Sequence, residues 1–155
     1  MFKKLFIVLV VAAVMALSII PMWTAKMAED AFKNPERQIS SENVKQAIQA
    51  RMYVYMYRDA RKLAEKAVLY FPESKNLPYF IYTAAMSSEK SNEHLAAMHW
   101  YGYFIDLFPS HEWTAQAKGK YEKLKATYAT KAEPAPKNKA IPGFFTDYRR
   151  LTTNG

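Results

Sequence analysis

The sequence predicts an all-α protein, with a single N-terminal transmembrane helix followed by an antiparallel helical-hairpin domain of about four to five helices. Three observations lead there. A run of 21 uncharged residues, Leu5 to Ala25, lies between Lys4 and Lys26. Most of the remaining chain repeats its apolar residues every three or four positions, the period of a helix face. The chain has only four glycines in 155 residues, and few β-branched residues follow the first run, which argues against a sheet.

The uncharged run would reach about 32 Å as a helix, and a bilayer core is about 30 Å thick. Its apolar members include Leu5, Phe6, Ile7, Val8, Leu9, Val10, Val11, Val14, Leu17, Ile19 and Ile20, and Trp23 stands where an interfacial aromatic belongs. Residues 1–25 therefore read as an N-terminal anchor or uncleaved signal. A cleaved secretory signal is the competing reading, but its cleavage sites are poor. A cut after Ala25 would place Trp23, and one after Ala28 would place Lys26, where a small residue is needed. A cut at Ala16-Leu17-Ser18 would leave the hydrophobic start Ile19-Ile20-Pro21-Met22-Trp23. The absence of cysteine excludes a lipoprotein anchor, disulfides and thiolate-held metals.

Residues 26–128 form the expected helical domain. Ser40 or Ser41 would cap a helix through Val44, Ala47 and Ile48. Asp59 would cap, or lie just inside, one carrying Ala60, Leu63, Ala64, Ala67, Val68 and Phe71. Between them, residues 51–58 would also suit a strand; the stripe Tyr53, Tyr57, Ala60, Ala64 makes them helical. Two helices with a tight turn and one long helix both satisfy it. Leu77-Pro78 opens a third helix after Asn76, with proline in the first turn. Ser91-Asn92 opens a fourth through Leu95, Met98, Trp100, Phe104 and Phe108, ended by Pro109. Ser110 would cap a fifth bearing Trp113, Ala117, Tyr121 and Leu124.

An internal repeat runs at an offset of 37 residues: Ala60 matches Ala97, Val68 matches Ile105, and Phe71-Pro72 matches Phe108-Pro109. A period of this size signals stacked helical hairpins. The pattern Tyr57-x-x-Ala60, Ala67, Pro72 resembles the second helix of a tetratricopeptide repeat. With Phe71-Pro72-Glu73-Ser74 and the run from Phe104 to Ser110, it is similar to repeats of bacterial cell-envelope proteins, such as the outer-membrane assembly lipoprotein and the Tol–Pal coordinator. The resemblance spans roughly residues 42–128. It departs from the family where Ile48 and Tyr55 replace glycines, where Phe104 fills a small position, and where His94 replaces an aromatic. It implies a superhelical scaffold; a plain helical bundle with short loops would carry many of the same signals.

Charge is unevenly placed. The formal net charge is +8, yet residues 5–117 hold 11 basic and 11 acidic side chains, and residues 118–155 hold nine against three. A neutral domain does not suit a nucleic-acid binder. Residues 129–142 are a Pro/Lys-rich linker. Residues 143–155 bring Phe144, Phe145, Tyr148, Arg149 and Arg150 together, a docking tail for a protein partner or an anionic lipid surface; simple disorder is the plainer reading of that composition.

No catalytic set stands out. His94 and His99 are five apart and do not share a helix face, and Ala115 replaces the second histidine of the motif that His111-Glu112 begins. No phosphate loop or nucleophile elbow occurs. The acidic pairs Glu29-Asp30 and Glu89/Glu93 read as solvated charges, and Met52 and Met56 as core packing rather than Cu(I) ligands. No enzyme activity, cofactor or metal is expected. Among the aromatics, Trp100, Phe104 and Phe108 form a core stripe, whereas Tyr55, Tyr79, Tyr82 and Tyr103 are candidate partner-binding residues.

The expected protein is thus a non-catalytic scaffold or accessory subunit of a cell-envelope complex. Lys3 and Lys4 favour a cytoplasmic N-terminus, placing the helical domain on the periplasmic side of a bacterial inner membrane. Its partners would be protein subunits of that complex and the membrane itself, not nucleic acid. The alternative is a soluble periplasmic binding module released by signal cleavage.

Overall fold

Six α-helices in sequence, with no strand among the described residues, build the structure, a computed structural model that describes residues 2–129, apart from the side chains of 2–5, 7–18 and 129. They are α1 (Phe2–Lys33), α2 (Ser40–Tyr53), α3 (Tyr57–Tyr70), α4 (Leu77–Lys90), α5 (His94–Leu107) and α6 (Thr114–Leu124), and a π-helical turn follows at Lys125–Ala129. The linker 130–142 and the tail residues Phe144, Phe145, Tyr148, Arg149 and Arg150 lie outside the described residues.

The repeat seen in the sequence governs the backbone. α2 and α4 begin 37 residues apart, as do α3 and α5, and α6 begins 37 residues after α4. The connections between hairpins repeat bond by bond. Arg37, Ser74 and His111 donate their N–H to the carbonyls of Asn34, Phe71 and Phe108, and Ser40, Leu77 and Thr114 donate to Arg37, Ser74 and His111. Pro35, Pro72 and Pro109 share one position in this connection, where a missing N–H and a fixed φ stop the helix.

Residues 51–58 split into the two-helix alternative. α2 ends at Tyr53 and α3 starts at Tyr57, because Tyr55 takes φ 61° and no helix continues through a left-handed residue. Asn92 does the same between α4 and α5, with φ 62°. Tyr55 thus occupies the turn with the backbone that a glycine would adopt without strain.

Three expected caps are corrected. Ser40 is the first residue of α2, whose cap position is Ile39, and the Ser40 hydroxyl instead donates to the Asn34 carbonyl at 2.6 Å. α5 begins at His94, so Ser91 and Asn92 form the turn before it. α6 begins at Thr114, leaving Ser110 and Trp113 outside the helix; the Thr114 hydroxyl reaches back to the Phe108 carbonyl at 2.5 Å, as Ser40 reaches to Asn34. These hydroxyls close the end of the preceding hairpin rather than the start of their own helix. The expected start of α4 at Leu77, with Pro78 in its first turn, is present.

Each helix packs mainly on its neighbours in sequence, and α2 also touches α4. Small residues make the close approach: Ala60, Ala64, Ala67, Ala84, Ala85 and Ala97 are fully buried. Rings fill the remaining space. Phe32 stacks on Phe71 at 5.9 Å, Phe71 meets Phe80 at 6.3 Å, and Tyr82 meets Phe104 at 5.4 Å, joining α1 to α5. Of the expected stripe, Trp100 and Phe104 are buried and Phe108 is half-buried; Tyr101 is buried, while Leu95, expected in line with them, is 60% exposed.

α1 runs unbroken through residues 25 and 26, and Pro21 lies inside it. Its last turns belong to the stack: Thr24, Ala28, Ala31 and Phe32 are buried. Among the residues whose side chains are described, which leave out 7–18 of the uncharged run, no helix is long and apolar enough to cross a membrane. The side chains of Leu5, Ile7, Val8, Leu9, Val10, Val11, Val14 and Leu17 lie outside the described set, while Phe6, Ile19 and Trp23 are exposed and Ile20 is half-buried.

Candidate interaction site

The stack has two ends, built from different connections. One carries the links between hairpins, residues 34–39, 71–76 and 108–113; the other carries the turns within hairpins, 54–56 and 91–93.

At the first end, the link before α2 and the link before α4 enclose an open groove of about 830 Å³, with Arg37, Ile39, Glu42, Tyr70, Phe71 and Lys75 in its wall. Ile39 is 62% exposed and Tyr70 44%, so apolar area faces solvent here. The groove has a fixed frame. Asn76 is buried and donates through Nδ2 to Glu42 Oε2 at 3.1 Å and Ser41 Oγ at 3.3 Å, pinning the start of α4 to the start of α2. Lys66 lies 4.3 Å over the Phe32 ring and 5.3 Å from that of Tyr70, a cation–π contact at the Tyr70 ring of the groove wall.

The four tyrosines proposed from sequence part company. Tyr55 is 77% exposed and meets Tyr57 edge-on at 5.9 Å. Tyr79 is half-buried beside Lys45, 5.7 Å from its ring; burial pushes its pKa up to about 12, against a hydrogen bond with Thr83. Tyr103 is half-buried and edge-on to Trp100 at 6.1 Å. Tyr82 is corrected: it is 9% exposed and lies among Tyr101, Phe104 and Trp113, so it is a core residue. An arc wider than one helix face misled the sequence reading, because α4 has neighbours on two sides, α3 and α5.

Sequence reasoning also missed two polar bridges. Glu89 accepts from the Tyr101 hydroxyl and from Lys120 Nζ, both at 2.9 Å, linking α4, α5 and α6. Burial opposes its charge, but those two hydrogen bonds and the charges of Lys120 and Lys90 outweigh it and hold its pKa below the ordinary carboxylate value. Arg61 bonds Glu93 across 32 residues and lies 3.7 Å from Glu65, whose other partner is the Trp100 indole N–H at 3.2 Å. The reading of Glu89 and Glu93 as solvated charges is therefore corrected; each is a half-buried contact between helices. Glu29 and Asp30 are exposed, on Lys33 at 2.6 Å and Arg37 at 3.6 Å. The signal that could have revealed the bridges is their separation, since 31 and 32 residues fall just short of one repeat.

The Met52 sulfur accepts from the Ser87 hydroxyl at 3.1 Å, tying α2 to α4. Among the described residues no group of three His, Asp or Glu side chains converges on one point. His94 stacks on Tyr128 at 4.0 Å, and His111 bonds the Trp113 backbone N–H through Nδ1 at 3.2 Å. Comparison with protein-family models, with curated proteins and with solved structures finds no match.

Proposed function

We propose that this protein is a non-catalytic scaffold or accessory subunit of a cell-envelope protein complex, anchored in the bacterial inner membrane by α1, with its hairpin domain on the periplasmic side. The observation that carries the reading is α1 itself. One continuous helix joins an uncharged run to a stack of hairpins, and Thr24, Ala28, Ala31 and Phe32 bury its end there. A tether fused into a domain in this way fixes the domain's distance and direction from the bilayer, which suits a positioning role. The 37-residue repeat supports a tetratricopeptide-like scaffold, and the groove beside Ile39 and Tyr70 offers a partner protein exposed apolar area within a polar rim. The tail from Phe144 to Arg150 is the second contact in this reading.

Affinity purification of the full-length protein from native membranes, with intact-mass measurement, tests it. Retention of Met1–Ala25 and a co-purifying set of subunits lost in Ile39→Asp/Tyr70→Ala is the expected result. A mature chain lacking the N-terminal run would instead support a released periplasmic module. Retention of the run with no subunit lost in the double variant would remove the groove from the proposal.

A further inference from the structure

The within-hairpin end has a composition the core does not explain. Tyr53 is 84% exposed and Tyr55 77%, the two most exposed aromatic side chains among the described residues. Tyr55 also holds φ 61°, a backbone state that bulky side chains avoid. The same turn one repeat later carries Asn92, which tolerates that state. A large ring kept in a strained turn, with its surface in water, points to a use outside the fold.

Position supplies the use. α1 is antiparallel to α2, and Arg51 Nε donates to Thr24 Oγ1 at 3.2 Å, two residues before Tyr53. The part of α1 that precedes about Ile20 therefore leaves the stack at the within-hairpin end. Its uncharged part from Leu5 to Ile19 spans about 22 Å at about 1.5 Å per residue, and the exposed Met22 and Trp23 lengthen the apolar surface by about one further turn, toward the thickness of a hydrocarbon core. Where it leaves, Ile19, Met22 and Trp23 are 57%, 72% and 56% exposed.

Charge at this end has one prevailing sign. Arg58 and Lys90 are exposed and share a shallow concavity of about 390 Å³ with Tyr55 and Tyr57; Asp59 is its one acidic member. Lys123 and Lys125 are exposed at the end of α6, which Tyr128 brings to the start of α5 by stacking on His94. Glu89 and Glu93 are already neutralised by Lys120 and Arg61. Glu122 is exposed and offsets one of the lysines.

We propose that the within-hairpin end is a membrane-docking face. Tyr53 and Tyr55 enter the headgroup layer of the bilayer that α1 crosses, and Arg58, Lys90, Lys123 and Lys125 face the phosphates of anionic phospholipids. The proposal rests on the reading of α1 as an anchor. The occupant is a lipid surface rather than a protein because the uncharged helix emerges from this same end, so the bilayer and the face are adjacent by construction.

The chain has no cysteine, so single cysteines can carry a fluorophore at chosen positions. The full-length protein is reconstituted in vesicles of phosphatidylethanolamine and phosphatidylglycerol that contain spin-labelled lipid. Probes are placed by Tyr55→Cys and Tyr53→Cys at the face, Glu73→Cys at the opposite end, and Val11→Cys in the anchor. Headgroup spin labels should quench the Tyr55 and Tyr53 probes at least about twofold more than the Glu73 probe, as interfacial side chains require. Arg58→Glu/Lys90→Glu should lower that quenching toward the Glu73 level. Acyl-chain spin labels should quench the Val11 probe.

Quenching at Val11 with none at Tyr53 or Tyr55 overturns the docking face and leaves the anchor standing. No quenching at Val11 overturns the anchor reading and the face with it. Protection of the Tyr55 probe from an aqueous quencher in native membranes, but not in these vesicles, would assign the face to a protein partner and overturn the proposal.

Discussion

Tyr55 and Asn92 stand one 37-residue repeat apart and share a left-handed backbone, φ 61° and φ 62°, at the two turns within the hairpins. The shared geometry makes the cost of each side chain comparable. A left-handed residue other than glycine costs on the order of 1–2 kcal/mol, and asparagine less than tyrosine. Tyr55→Gly should therefore leave the domain as stable or up to about 1 kcal/mol more stable, after the extra unfolded-chain entropy of glycine is counted. Asn92→Val should destabilise by more than about 1 kcal/mol. Denaturation midpoints in urea check both, and a clear loss of stability in Tyr55→Gly would show that the Tyr55 ring itself holds the turn.

Glu89 gives the acid side of the stability profile. Its folded pKa is lowered: burial opposes the charge, and the bonds from Lys120 and Tyr101 more than compensate. A lowered carboxylate pKa stabilises the fold above the unfolded value of about 4.3, and that contribution fades as pH falls through the folded value. Tyr101→Phe should cost about 1.5–3 kcal/mol at neutral pH, since it removes a hydrogen bond to a charged group. It should also weaken the acid dependence below about pH 4.3, the unfolded glutamate value. An unchanged acid profile in Glu89→Gln would assign that dependence to other carboxylates.

Tyrosines set the alkaline side. Burial raises Tyr79 to about 12 and raises Tyr101 further, helped by the adjacent Glu89 carboxylate. Both remain neutral in the folded state after the unfolded chain has begun to ionise at about pH 10. Their contribution is complete below that pH and is lost as pH rises through the folded values. Unfolding midpoints measured at increasing pH should drop beyond about pH 10, and Tyr79→Phe should make the drop shallower.

Thr24 and Arg51 join α1 to the first hairpin. The Thr24 hydroxyl donates to the Ile20 carbonyl at 2.8 Å and accepts from Arg51 Nε at 3.2 Å, in a fully buried position. Burial lowers the Arg51 pKa, against the charge of Asp59. Thr24→Val keeps the shape and removes the acceptor, so it should cost about 1–3 kcal/mol. Proteolysis at the α1–α2 junction should accelerate in this variant, while Thr24→Ser should behave as the parent.

The alanine faces predict the opposite response to added volume. Ala64 and Ala84 are completely buried on α3 and α4, which pack against each other. Ala64→Leu should destabilise by about 1–3 kcal/mol or more, since a close helix pair has no room for three further carbons. Far-ultraviolet circular dichroism with a thermal melt would detect it. A neutral result would mean the helices can separate.

The repeat and the helical class were legible because their causes are local, whereas the split of residues 46–70 into two helices at Tyr55 was not. Pro72 and Pro109 stop helices wherever the fold puts them, and Ala60 and Ala97 mark one position of a helix face. Caps were less legible. Ser40 and Thr114 looked like, or lay near, helix starters, yet their hydroxyls serve the preceding connection, six residues back in both cases. Tyr82 was misplaced for a related reason: side-chain spacing reports a face, not the number of helices that cover it.

By itself the sequence determined the helical class of the described residues, the 37-residue offset, the balanced charge of residues 5–117 and the uncharged run before Lys26. Those follow from residue type and short-range spacing. Only the tertiary structure decided that Tyr82 is core while Tyr53 is bare, that Glu89 meets Tyr101 and Lys120, and that Arg61 meets Glu93. It also decided that α1 leaves the stack beside the within-hairpin turns. Each of these depends on how one helix crosses the next, and that crossing is set by many weak contacts between residues far apart in the chain.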